Sequence, residues 1–195
     1  MTDKKQEIYK CGKELFSSRG FKDTSVADIT KAAGVAAGTF YLYYTSKDSL
    51  FMEIYIEENE KLKKSIMDAV DINGDPLSVI SKMIYMNYEG MSANPVLKEW
   101  YNKDVFGRIE KKFREEKGIH SVDFMYDTFI KVVRKWQYEG KMRRDIDSDI
   151  IMAILAALIN IDTHKEEIGL RYFPQVMNYF AEFVIKGLTE YIEKE

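Results

Sequence analysis

TSVADITKAAGVAAGTFYLYYTSKDSL, residues 24–50, decides how this chain is read. Thr24 and Ser25 can cap a helix start, and Asp28, three past Ser25, gives a short capping-box pattern. Val26, Ile29, Thr30 and Ala33 follow helical spacing, so one face of a short helix can bury. Gly34 stands where that helix must end and the chain turn, a place where glycine accepts positive φ without steric cost. Val35 can plug the turn into a core. From Ala36 the helical pattern resumes. Phe40 and Tyr44, at i and i+4, face inward, while Gly38, Thr39, Leu42 and Tyr43 point the other way. Ser46 caps a further helix, with Asp48 in its first turn, and Lys47 beside its N-terminus pairs a cation with free N–H groups that suit a phosphate.

Two short helices across a tight glycine turn, followed by a third, have the build of a helix-turn-helix that reads a major groove. The same geometry also fits a helical hairpin packed in a core. Two details favour the reader. Tyr41, Tyr43 and Tyr44 crowd one short helix, so at least one must be exposed, and tyrosine hydroxyls are ordinary phosphate donors. Ala36, Ala37 and Gly38 leave the start of the helix clear for close approach to a backbone.

The stretch from Phe21 through Leu50, above all AAGVAAGTFYLYYTSKDSLF, resembles the TetR family of transcriptional regulators. GKMRRDIDSDIIMAILAAL, Gly140 to Leu158, resembles the segment that leads into that family's first dimerisation helix. By resemblance, Thr39, Tyr41, Tyr43 and Lys47 match DNA contacts, and Thr24 or Ser25 matches a phosphate contact at the start of the second helix. Ala37 and Leu42 occupy positions that often read bases, as part of a surface that includes Gly38. Neither can make bidentate hydrogen bonds to base edges, though both can touch thymine methyls. Specificity is then expected to rest on Thr39, on apolar contacts and on DNA shape.

The rest of the chain fits an all-α protein of two domains. Over 195 residues there are only three prolines, and no alternating strand pattern appears. The expected division is an N-terminal three-helix helix-turn-helix domain, 1–46, and a larger helical effector-binding and dimerisation domain, 47–195. About nine helices are expected: one to Ser18, two in the reader, then Lys47 to about Val70, a fifth to Met91, a sixth over 95–117, a seventh over 121–139, an eighth over 148–163 and a ninth over 174–192. NGDP (73–76) and SANP (92–95) break the chain around the fifth.

The net charge of −3 divides unevenly: residues 1–50 carry +2 and the remainder −5. The positive excess lies at the reader and is small, so DNA affinity per subunit should be modest and should need a dimer. One cysteine, Cys11, cannot form an internal disulfide, and its spacing with Ile8 and Leu15 reads as a small buried hydrophobe. A cytoplasmic location follows. No apolar run is long enough to span a membrane, and MTDKKQEIYK does not read as a signal peptide.

DIIMAILAALINI is apolar nearly all round, and the last helix carries too wide an apolar stripe for one partner surface. Ile154, Ala157, Leu158, Ile161, Met177, Phe180, Val184 and Leu188 are therefore expected in a four-helix homodimer interface. The alternative places both helices centrally in a monomer core. Between these regions the chain is rich in Met and aromatics. The resemblance implies an effector cavity here, for which Met83, Met86, Tyr88, Trp100, Phe106, Phe124, Phe129 and Trp136 are candidates, with Glu89, Asp123, Asp127 and His164 as possible polar anchors.

No enzyme is expected. Only His120 and His164 exist, neither at metal-ligand spacing, and no nucleophile elbow, phosphate loop or CxxC appears. No cofactor or metal is expected. The partners are double-stranded DNA, a small-molecule effector and a second copy. The function expected is a repressor that binds a near-palindromic operator as a dimer and is released by a small, largely apolar effector. The alternative is an all-helical small-molecule-binding or adaptor protein that does not bind DNA.

Overall fold

A computed structural model describes residues 4–102, 105, 107, 108, 111, 123–161, 168, 169 and 171–190. Among the described residues there are eight α-helices, one 3-10 segment and no strand, so the fold is all-α as expected. The helices are α1 (Lys4–Arg19), α2 (Val26–Ala32), α3 (Ala37–Tyr41), α4 (Lys47–Ala69), α5 (Pro76–Ala93), α6 (Asp123–Tyr138), α7 (Ser148–Asn160) and α8 (Phe173–Thr189). The sixth helix expected over 95–117 begins instead as the 3-10 segment Leu97–Tyr101, and most of its remainder lies outside the described residues. Asn94 causes that start: its side-chain oxygen accepts from Val96 N at 2.9 Å, an anchor that competes with a continuous α-turn.

The chain falls into two compact units, residues 1–62 with 90–122 and residues 63–89 with 123–195. Units defined by packing are a different quantity from domains defined by task, and the division at 46/47 remains a proposal about the latter.

In the first unit, Ile8, Phe16, Phe21, Ile29, Phe40, Leu50, Phe51, Ile54 and Tyr55 form one buried core. Phe51 meets the Phe16 and Phe21 rings edge-on at 5.1 and 4.9 Å. Gly12 allows α1 to approach α4 closely, because a Cβ there would stand 2.7 Å from Leu50 Cδ2. Cys11 and Leu15 are only half-buried, so α1 turns Ile8, Gly12 and Phe16 into the core rather than the cysteine.

A polar seam closes the other side of the α1–α4 contact. Lys5 meets Glu53 at 3.0 Å, Tyr9 donates to Glu57, and Lys13 meets Glu58 at 2.7 Å. Asn94 donates to the second oxygen of Glu58 at 2.8 Å, and Lys61 bridges both glutamates. Burial first, and the Glu57 hydrogen bond second, push the Tyr9 phenol well above its ordinary value. Hydrogen bonds from Lys61 and then Tyr9 hold Glu57 below the ordinary 4.5. Burial opposes ionisation of Glu58, but Lys13, Asn94 and Lys61 together outweigh it and hold that group low as well. Carboxylates with lowered values stabilise the fold above their unfolded value and lose that contribution as pH falls through the folded one. Urea midpoints should therefore be level from pH 7 to 5 and decline as pH falls below about 4.5. Glu58→Gln should flatten that decline; an equally steep profile in the variant would remove the seam from the account.

In the second unit, Asp75 caps α5 by accepting from Ser78 N at 3.0 Å, with Pro76 in the first turn, as the NGDP break implies. Trp136, Val133, Ile151, Phe173 and Ile185 are buried. Gln137 donates to the Arg143 and Ile146 carbonyls at 2.9 and 2.8 Å, and Arg144 returns to the Gln137 carbonyl at 2.6 Å. Those bonds fix the loop that launches α7, where Asp147 accepts from Asp149 N at 2.8 Å.

Candidate nucleic-acid interface

The capping box at the start of α2 forms as its sequence implies. Asp28 N donates to Ser25 Oγ at 3.1 Å, and Ser25 N donates to the Asp28 carboxylate at 2.9 Å. Ile29 and Thr30 are buried beneath it. Gly34 then takes φ 64° with open space around a would-be Cβ, so the backbone conformation, not crowding, calls for glycine.

α3 is shorter than its pattern suggests, ending at Tyr41. The Phe40 carbonyl still accepts from both Tyr43 N and Tyr44 N at 3.0 Å, which keeps Tyr44 on the inward side with Phe40 after the helix has ended. Phe40 and Tyr44 are buried, 0% and 3% exposed. Around them Ala37 and Gly38 are exposed, Thr39 is half-buried, and Tyr41, Leu42 and Tyr43 are 58%, 79% and 42% exposed. A contiguous surface of small, apolar and tyrosyl groups thus sits on a core-anchored turn. Exposure of three such side chains in a row has no packing reason.

The two residues at the start of α2 part company. Thr24 is buried and donates its hydroxyl to the Gly20 carbonyl at 2.8 Å, so a phosphate contact through that side chain would first have to break this bond. Ser25 is exposed.

Lys47 does more than lie beside a helix start. Its ammonium donates to the Phe21 and Thr24 carbonyls, each at 2.7 Å, and lies 4.2 Å from the Phe21 ring centroid. Burial first, and the nearby Arg108 second, draw its ionisation below the ordinary lysine range. An ammonium has three donors, and the α1–α2 turn takes two of them.

Sequence reading missed the residues that grip this turn from elsewhere in the same unit. Glu99 accepts from Phe21 N at 2.8 Å and from Asn102 at 2.9 Å through its other oxygen. Arg108 pairs with Asp48 at 2.8 Å and lies 5.3 Å from the Phe21 ring. No local pattern marks either one, because their partners are 78 and 60 residues away.

The other expected site residues scatter. Met83, Phe129 and Trp136 are buried core side chains, Met86 is half-buried, and Trp100 stacks on Tyr55 at 5.8 Å in the first unit. Phe106 and His164 lie outside the described residues, as do the side chains of Asp123 and Phe124. Asp127 is exposed. Of the effector candidates whose side chains are described, only Tyr88 lines the cavity of about 280 Å³ between α5 and α8. Its other walls include Ser81, Ile84, Tyr85, Asn87, Glu89, Phe173, Met177, Asn178 and Ala181.

Among the residues expected between two copies, Ala157 and Phe180 are exposed, and Ile154, Ile161 and Val184 are half-buried. Leu158, Met177 and Leu188 are buried in the chain's own core. Periodicity alone could not separate the inner face of α8 from the outer one, since both are apolar. The outward face carries Val176, Tyr179, Phe180 and Phe183, and α7 presents Ile150 and Ala153.

Among the described residues no group of three or more His, Cys, Asp and Glu side chains is placed to hold a metal ion, and no helix is long and apolar enough to cross a membrane.

Comparison with known proteins agrees with this geometry. The profile of bacterial regulatory proteins of the tetR family matches residues 8–54, from within α1 to within α4. An HTH-type transcriptional regulator of Bacillus subtilis, YdgC, is 30% identical over 87 residues, 45% of each chain, so the similarity spans less than half of that relative. The HTH-type transcriptional repressor KstR2 of Mycolicibacterium smegmatis is 19% identical over 197 residues, 96% of this chain and 91% of its own. Among solved structures, the transcriptional regulator FadR of Bacillus subtilis in complex with stearoyl-CoA has the same fold, with a TM-score of 0.63 at 14% identity, covering 94% of this chain and 99% of its own. Capping box, positive-φ glycine turn, outward tyrosines and matched profile all fall on the same residues, so over residues 8–54 the chain carries the helix-turn-helix region described by the profile of the tetR family of bacterial regulatory proteins.

Proposed function

We propose that this protein is a cytoplasmic repressor that binds a near-palindromic operator as a homodimer and is released by a small, largely apolar effector. The observation that carries the DNA reading is the exposed run from Ala37 to Tyr43 on a turn whose Phe40 and Tyr44 are locked in the core. Thr39, Ala37, Gly38 and Leu42 face base edges in this reading. Tyr41, Tyr43, Ser25 and the remaining donor of Lys47 hold phosphates. Thr24 acts indirectly, by fixing the turn through Gly20.

The outward apolar faces of α7 and α8 support the dimer. Val176, Tyr179, Phe180 and Phe183 make a face that nothing in the chain's own core requires. Two readers related by a two-fold axis would meet successive major grooves about 34 Å apart. The relative named a repressor, and the neighbour solved with stearoyl-CoA, support repression relieved by a ligand. Effector and operator binding would be coupled reciprocally by about 1–3 kcal/mol, roughly a 5–150-fold change in affinity.

Fluorescence anisotropy on duplexes selected from a random pool tests the reading. Affinity should fall steeply with salt and favour near-palindromes. Tyr43→Phe should weaken all duplexes alike, by about fivefold, whereas Thr39→Val should reorder preference among them. Retention of DNA unchanged by either substitution, or no sequence preference in the wild type, would favour the adaptor alternative.

A further inference from the structure

The face of α5 toward α8 has a composition that core packing does not explain. Tyr85, Tyr88 and Glu89 stand at i, i+3 and i+4, so two rings and a carboxylate share one side of the helix. Phe173 packs against Tyr88 at the cavity wall, with ring centroids 6.1 Å apart and planes at 40°. Tyr85 is 64% exposed although it lines the cavity, so its ring is open to an occupant. Asn87 is buried, and its side-chain oxygen is taken by Lys63, which holds that wall in place from behind. Glu89 is the one charged side chain among the described residues that line the space.

These features select a ligand class. At about 280 Å³ the cavity lies just below the ~300–1,000 Å³ typical of ligand pockets, a size that suits a compact fused-ring body. Aromatic faces attract a cation through their quadrupole, and a carboxylate beside them both attracts a cation and repels an anion. We infer that the α5–α8 cavity binds a compact aromatic amine, its ring against Tyr88 and Phe173 and its ammonium between Tyr85 and Glu89. The inference rests on the effector part of the proposed function, and supplies the site and charge that reading leaves open.

Isothermal calorimetry and thermal shift with three probes of one shape provide the test: 2-naphthylmethylamine, the neutral 2-naphthalenemethanol and the anionic 2-naphthoate. The amine should bind wild type most tightly and the carboxylate least. Glu89→Gln, at an exposed position, should weaken the amine roughly five- to tenfold and leave the alcohol unchanged. Tyr85→Leu, also at an exposed position, should weaken the amine more than the alcohol. Equal binding of all three probes, no binding of any, or an amine affinity that ignores Glu89→Gln would overturn the inference. The anisotropy assay is run beside it. Amine binding that depends on Glu89 yet leaves DNA retention unchanged upholds the cavity and counts against its role as the effector site. DNA release by naphthoate rather than the amine upholds a ligand-released repressor and overturns the charge assignment.

Discussion

Phe40→Ala should lower the unfolding free energy of the first unit by about 3–5 kcal/mol, seen as an early transition in urea, and should abolish DNA retention. Phe40 is 0% exposed and sits between the Tyr41 ring at 5.4 Å and the Tyr44 ring at 5.7 Å. It is the one fully buried side chain of a five-residue helix, too short to persist without tertiary packing. Its removal leaves a cavity and frees Ala37, Thr39 and Tyr41 from a fixed orientation. DNA loss should therefore exceed the roughly fivefold expected of Tyr43→Phe by more than tenfold. A variant with wild-type urea midpoint, or one destabilised but still binding at wild-type affinity, would mean that α3 is held by something other than this ring.

Lys47→Met should reduce stability by about 2–3 kcal/mol and weaken every duplex by roughly 100-fold. Methionine keeps most of the apolar stem over Phe21 and removes the two donors that hold the Phe21 and Thr24 carbonyls. A cation acting on phosphate alone would behave differently: its loss would lower the salt slope by about one and leave urea unfolding unchanged. Measuring both quantities on one preparation separates the roles. Stability equal to wild type would show that the carbonyl bonds contribute little.

The reader was legible in the sequence because its determinants are local. A capping box needs Ser25 and Asp28 three residues apart, a left-handed turn needs glycine at 34, and an inward pair needs aromatics at 40 and 44. Each can be read within one or two helical turns. Helix breaks at Asp75–Pro76 and at Gly140 are local for the same reason. The cavity was less legible. Every Met and aromatic between Met83 and Trp136 carries the same apolar signal, and only packing separates the buried Met83 and Trp136 from Tyr88 at a cavity wall. Phe173 and Met177, which close that cavity, stand more than 80 residues further along the chain. Likewise the apolar residues of α8 are of one kind, and burial alone divides Met177 and Leu188 from Phe180 and Phe183.

By itself the sequence determined an all-helical chain, a helix-turn-helix between residues 24 and 50, and a tyrosine surface turned away from its own core, because backbone propensity, capping and amphipathic spacing act over a few residues. Only the tertiary structure decided that Lys47, Glu99 and Arg108 converge on the turn at Phe21, that Thr24 faces inward, and which face of α8 is left for a partner. Those outcomes depend on hydrogen bonds and burial between segments as many as 78 residues apart, and no window of sequence contains both halves of such a contact.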